Sequence, residues 1–299
     1  MPALVTTLQS VLTRADAYFE EGRHARARAA YERLLERAQE RADRPMEVVA
    51  RAMLARCHLL RRDPEAARGE LDQAEAFLDP AHLASTRRLQ AARARVGLAA
   101  AAPSEVGAQL RAYLTWAEGE GAHAEVIDAC MLLADHDADP ERWLQRAIAH
   151  GLEHEFDAPL GRVYSALAGR LEQEGRLERA LEAYQQALHH HRCGGGTRQV
   201  VAVSWAAGAV ACGLEDHPLA RALLEEAVQE AEGADDCEDF LALALADLAE
   251  VHEAAGDVVE ARRLVLRSSG LARAQDLPRA WPERWRRLLA HARRLELEI

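Results

Sequence analysis

Residues 161–194 read GRVYSALAGRLEQEGRLERALEAYQQALHHHRCG, and the reading of this stretch decides the fold. Ala168, Gly175, Ala180, Tyr184 and Ala187 form a series of small residue, turn, small residue, aromatic and small residue. Such a series predicts two antiparallel helices. Ala168 and Ala180 let the two axes approach closely where they cross. Gly175 supplies a left-handed residue between the helices, and Tyr184 fills the gap toward the next pair.

The series returns along the chain. Ala15, Tyr18, Gly22, Ala27, Tyr31 and Leu34 carry it near the start, and Ala55, Asp63, Ala67, Leu71 and Ala74 repeat it. Gly208, Asp216, Ala220, Leu224 and Ala227 form a fourth copy, and Ala249, Gly256, Asp257, Ala261 and Val265 a fifth. Two degenerate pairs lie between. One spans 88–119 with a break at Ala102-Pro103-Ser104; the other spans 124–150, where Pro140 after Asp139 marks a helix start. Ala27 to Ala67 and Ala180 to Ala220 are each 40 residues apart, and Ala220 to Ala261 is 41.

This pattern resembles the tetratricopeptide repeat. The period exceeds that repeat's usual roughly 34 residues and is similar to the longer variants in kinesin light chains and in the sensor regions of large bacterial transcription activators. The resemblance implies an all-α fold: a right-handed α-solenoid of about seven antiparallel helix pairs, forming one domain over 1–299. Residues 282–299 read as an amphipathic helix that caps the last apolar face. The Gly194-Gly195-Gly196 triplet places a hinge at 192–198.

Composition agrees. The chain is 49% hydrophobic and 29% charged but only 5% aromatic, and it is rich in Ala, Leu, Arg and Glu, which lose little side-chain entropy in a helix. Its formal net charge of −12 disfavours a nucleic-acid partner. Neither Lys nor Asn occurs, as codons of a GC-rich bacterial genome would favour, and the missing lysine excludes Schiff-base, Walker-A and kinase chemistry. Five cysteines at no recurring spacing fit a reduced, cytoplasmic setting. The start lacks a basic signal-peptide region, and no apolar run reaches the roughly 20 residues of a membrane span.

In tetratricopeptide arrays the first helix of each pair lines a concave groove. The resemblance therefore nominates Ala52 and Arg56, Ser165 and Gly169, Trp205 and Ala209, and Ala246 and Glu250 as groove positions, extended by Asp16, Phe19, Leu59, Glu172 and Glu253. Trp205 is either a binding anchor in that groove or core between repeats. The family's clamp for chaperone C-terminal carboxylates uses Asn and Lys, which this sequence lacks, and Asp16 occupies the equivalent position in the first repeat. Chaperone tails are thus not the expected ligand.

Other features read as structural. His189-His190-His191 beside Cys193 cannot all face one metal ion, since successive helical residues point about 100° apart; they read as a helix end. The glycine triplet follows a helix and lacks the lysine of a phosphate loop. Asp135-His136-Asp137-Ala138-Asp139 does not match a calcium loop and reads as a polar turn. Arg284, Arg286, Arg287, Arg293 and Arg294 give either a solvated outer face on the last helix or a contact for an anionic partner. His24, His58, His123 and His252 stand singly, and no catalytic motif occurs. The sequence predicts a non-enzymatic scaffold or adaptor without cofactor or metal that binds a protein or peptide segment. The alternative is a peptide- or ligand-sensing regulator acting on a separate effector chain.

Overall fold

The computed structural model describes residues 7–20, 22–101, 103–194, 196–234 and 236–299. Ala102 of the break in the third pair, Gly195 of the glycine triplet and the first six residues of the chain lie outside them. Sixteen helices and no strand occur among the described residues. In order they are α1 (Leu8–Glu20), α2 (His24–Glu40), α3 (Arg44–Leu60), α4 (Pro64–Glu75), α5 (Leu83–Ala100), α6 (Pro103–Gly119), α7 (His123–His136) and α8 (Pro140–Glu153). These are followed by α9 (Asp157–Gln173), α10 (Leu177–Gly194), α11 (Thr197–Gly213), α12 (His217–Glu232), α13 (Glu238–Ala254), α14 (Val258–Ala274), α15 (Leu277–Ala280) and α16 (Pro282–Arg294). The chain divides into two compact units, 1–154 and 155–299. The first holds four helix pairs; the second holds three pairs and then α15 and α16.

Within each unit a pair packs on the next because the first helix is apolar on two sides. In α3, Val49, Met53 and Leu54 join α1 and α2 in one core, while Val48, Ala52 and Ala55 join α4 and α5 in another. The small residues of the repeat do what their positions required: Ala27, Ala67, Ala180, Ala220 and Ala261 are all fully buried. Gly208 shows why. A Cβ there would stand 2.7 Å from Leu224 Cγ on the partner helix.

The turns follow a two-residue rule. Before α2, α4, α10, α12 and α14 the last residue ahead of the N-cap takes the left-handed conformation: Gly22, Gly175 and Gly256, but also Arg62 and Glu215. The chain therefore turns at Arg62 and Glu215 and not at the aspartates that follow. Asp63 and Asp216 are N-caps, accepting from the backbone N–H groups of Ala66 and Leu219 at 3.0 and 3.1 Å. Asp257 and Asp139 cap α14 and α8 in the same way. The predicted last helix ends at Arg294, with Glu296 left-handed beyond it.

The histidine run is core as much as helix end. α10 continues to Gly194, and His190 and His191 are buried on it. His190 Nδ1 donates to Asp157 Oδ1 at 2.8 Å, and the ring stacks on Tyr164. His191 presses on the backbone of Gly161, where a Cβ would lie 2.7 Å from its ring. Burial lowers its pKa to about 4.

Gly208→Ala should therefore destabilise the protein by about 1–3 kcal/mol through overpacking. Gly69→Ala, in a helix interior with nothing within 4 Å of the new methyl, should stabilise it by about 0.5–1 kcal/mol; denaturant titrations of both variants check the contrast. Because His191 is held neutral in the fold, the unfolded chain binds the extra proton between pH 6.5 and about 4, so stability is lost as the pH falls through that window. His191→Leu should lose less stability between pH 7 and 4 than the parent does, the difference reaching up to about 3 kcal/mol; parallel melts at the two pH values measure it.

Candidate functional site

In the second unit the first helices α11 and α13 run parallel, and their polar residues meet in register. On α13, Asp247, Glu250 and Glu253 recur every third residue and form one stripe. Facing them on α16 are Arg284, Arg287, His291 and Arg294. Arg284 Nη1 lies 3.3 Å from Asp247. Arg287 Nε donates to Glu250 at 2.8 Å, and Arg294 to Glu253 at 3.2 Å. The pair numbers rise together, so α16 runs parallel to α13, in the direction of a further first helix. The arginines read from sequence as a solvated face or an anionic contact thus pair, in three of five cases, with the protein's own α13. The same relation joins α11 to α13 through Arg198 and Asp239 at 2.6 and 2.9 Å.

Of the two readings of Trp205, this geometry carries the core one. The residue is 7% exposed and not a free groove anchor. Its indole N–H donates to Asp247 at 2.9 Å, its ring meets Trp281 and Phe240, and Arg284 lies over its face at 5.1 Å. Asp247 is buried, and desolvation raises its pKa against the opposing pull of Arg284, Arg287 and the indole. The tryptophan, the aspartate and the arginines form one closed cluster holding α11, α13 and α16 together.

Ala52 is fully buried in the α3–α5 core and does not reach a groove; the other nominated residues lie on first helices and are half-buried, and most of their polar groups already have partners. Asp16 accepts from Tyr31 Oη at 2.7 Å and from Arg88 through both oxygens at 2.9 and 2.6 Å. Phe19 lies under the Arg56 guanidinium at 4.6 Å. Leu59 packs on the α3–α5 core. Ser165 donates back to Gly161 O at 2.8 Å, and Glu172 accepts from Tyr184 Oη at 2.9 Å. The repeat tyrosines Tyr31 and Tyr184 thus fill the gap between helices and also fix a first-helix carboxylate. Burial raises the pKa of both phenols, with the facing carboxylate adding to it.

An open hollow of about 480 Å³ lies in the second unit. Ala209 and Cys212 of α11 and Val251 of α13 line it with apolar surface, and the Glu250–Arg287 and Glu253–Arg294 pairs form its rim. Ala209, Glu250 and Glu253 are sequence-nominated for the groove; Cys212 and Val251 were not, and Arg287 and Arg294 were read only as a solvated face or an anionic contact. Complementary three-residue spacing of acids on α13 and arginines on α16 was the available signal for that rim. All five cysteines are free, and burial pushes the Cys57, Cys130 and Cys212 thiols up to about 11, which leaves these three poor nucleophiles at neutral pH.

Asp247→Ala should cost about 3–5 kcal/mol, because it strands a buried guanidinium and the indole N–H. Asp247→Asn keeps an acceptor for Trp205 and should cost less than half as much. Equal losses in chemical denaturation would show that the charge alone, and not the hydrogen bond, holds the cluster.

The tetratricopeptide repeat family model matches residues 6–79. No curated protein matches the chain in sequence. Three solved structures are similar in fold. A signal-transduction ATPase with numerous domains and a tetratricopeptide repeat sensor, from Pyrococcus horikoshii, gives a TM-score of 0.64 at 14% identity over 94% of this chain and 45% of that one. The apo form of RapI gives 0.60 at 13% identity over 89% and 77%. The apo quorum sensor NprR of B. thuringiensis gives 0.54 at 13% identity over 92% and 87%. The chain spans less than half of the Pyrococcus protein's length, and at such identities the likeness is one of fold. The repeat model covers only the first pairs; over the rest of the chain the likeness to tetratricopeptide repeat proteins is one of helix-pair fold.

Proposed function

We propose that the protein is a non-enzymatic interaction module that holds a segment of a partner protein against the exposed faces of its first helices. The observation that carries this reading is the hollow between α11, α13 and α16. Its apolar lining gives an incoming chain surface to bury, and its rim offers charges of both signs. Arg287 and Arg294 are 49% and 56% exposed at the side chain, and ion pairs so exposed contribute about 0–1 kcal/mol. They can therefore be exchanged for a partner's charges at small cost. The formal net charge of −12 argues against a nucleic-acid partner. No helix among the described residues is long and apolar enough to cross a membrane.

A second reading, a sensor of a peptide or small ligand that acts on a separate effector chain, is supported by likeness in fold to a quorum sensor and to a tetratricopeptide sensor region. The two readings differ in what binding does. An adaptor holds its partner with little change of shape, whereas a sensor changes its overall dimensions on binding.

Peptides selected on the full-length protein from a random display library provide the test. Ala209→Arg, which fills the hollow, should weaken the selected peptides at least tenfold while leaving the melting temperature within a few degrees. Peptides that bind parent and variant equally would remove the hollow from the proposal. Small-angle scattering with and without bound peptide separates adaptor from sensor.

A further inference from the structure

His123, His150 and His154 meet at one end of the α7–α8 pair. His123 is the first residue of α7, His150 lies in the last turn of α8, and His154 is the C-cap of α8. His150 and His154 are four residues apart and share a helix face, and the antiparallel packing of the pair returns that face to the start of α7. One nitrogen from each ring lies within 4.8 Å of the other two. His123 Nδ1 and His150 Nε2 are 3.2 Å apart, and the His123 ring lies 3.8 Å from that of His154 and 5.2 Å from that of His150, centroid to centroid.

We propose that these three imidazoles form a binding site for a divalent transition-metal ion, with Zn²⁺ the foremost occupant. The argument is geometric first. Two nitrogens bound to a tetrahedral ion at about 2.0–2.1 Å stand roughly 3.3–3.4 Å from each other, close to the separation already present between His123 and His150. The donor set is chemically selective: three neutral imidazoles with no thiolate suit Zn²⁺, Ni²⁺ and Cu²⁺ and not Mg²⁺ or Ca²⁺. Three imidazolium rings at these distances would repel one another. Consistent with neutral rings, burial lowers the pKa of His150, and its two histidine neighbours add to the effect. The carboxylates of Glu118 and Glu153 act on His150 in the opposite sense, and their negative potential, with the carbonyl end of α8, favours a bound cation. Three protein ligands leave a fourth coordination position for water or another donor. An ion here would tie the beginning of α7 to the end of α8, and so close the pair opposite its turn.

Titration of the chelator-treated full chain with ZnCl₂ alone, followed by calorimetry, should give one equivalent bound and a raised melting temperature. His123→Gln and His154→Gln should each weaken binding at least tenfold, by comparison with the 10–100-fold cost of losing even an outer partner of a metal ligand. The double variant should show neither binding nor the thermal shift, with its helical circular dichroism retained. His189→Gln/Cys193→Ser, which removes the exposed donors of α10, should bind as the parent does. Co²⁺ added to the parent protein should give the intense visible bands of a four-coordinate ion. That spectrum decides the matter even where a variant fails to fold. No stoichiometric binding by the parent, undiminished binding by the double variant, or only the weak bands of six-coordinate Co²⁺ would each overturn the proposal.

Discussion

Two helices can come into backbone-close contact only where one of them has almost no side chain, and the rest of this protein follows from that limit. Gly208 receives the Leu224 side chain and Gly161 the His191 ring, each in space a methyl group would fill. Fully buried alanines hold the same kind of contact in other pairs. With the paired axes this close, α3, α11 and α13 are sandwiched between their own partners and their neighbours and are buried over most of their circumference. Only a narrow stripe of each remains for polar side chains. The stripe is a product of the packing.

That stripe then sets the electrostatics. Parallel neighbours carry acids and arginines past each other in register, so charges three residues apart on one helix find charges three or more apart on the next. The absence of lysine makes each such contact an Arg contact, planar and able to engage both carboxylate oxygens, as Arg88 does with Asp16 and Arg198 with Asp239. Asp247 is the extreme case. Removing a carboxylate from water is costly, and pairing it with Arg284 offsets that cost only where the remaining lone pairs are also used. The Trp205 indole supplies the extra donor. A large aromatic that sequence register places on the exposed stripe is thereby drawn into the interior.

What was legible in the sequence was what local spacing controls. Small residues at fixed intervals gave the pairs, their order and the parallel first helices, and Pro140 after Asp139 gave a helix start that the structure bears out. Turns at Arg62 and Glu215 were not legible, because glycine was the cue for a left-handed residue and neither position has it; the capping aspartate one residue later carried the visible signal. Trp205 was placed on the right helix face, but its burial depends on Phe240, Asp247, Trp281 and Arg284, all more than 30 residues away. The histidine cluster was half visible. His150-Gly151-Leu152-Glu153-His154 shows a four-residue spacing that puts two rings on one face, while His123 joins them only through antiparallel pairing over 27 residues. Reading the histidines singly discarded that spacing.

Burial along α13 separates stability from recognition within two turns of helix. Asp247 is 6% exposed at its side chain, Glu250 24% and Glu253 29%, and the arginines opposite them open in the same order, from 28% at Arg284 to 49% at Arg287 and 56% at Arg294. The attraction between like pairs of charges weakens as water enters, since its strength scales inversely with the local dielectric. At the buried end, breaking the pair leaves an uncompensated charge in the interior, so this end resists exchange and fixes the register of α16 on α13. At the open end, either partner is solvated when released, and a foreign carboxylate or guanidinium can take its place with little penalty. One charge stripe thus acts as a structural clasp at Asp247 and an exchangeable rim at Glu253. Under the proposed function, the hollow beside the exchangeable end is where an external chain would meet the least resistance.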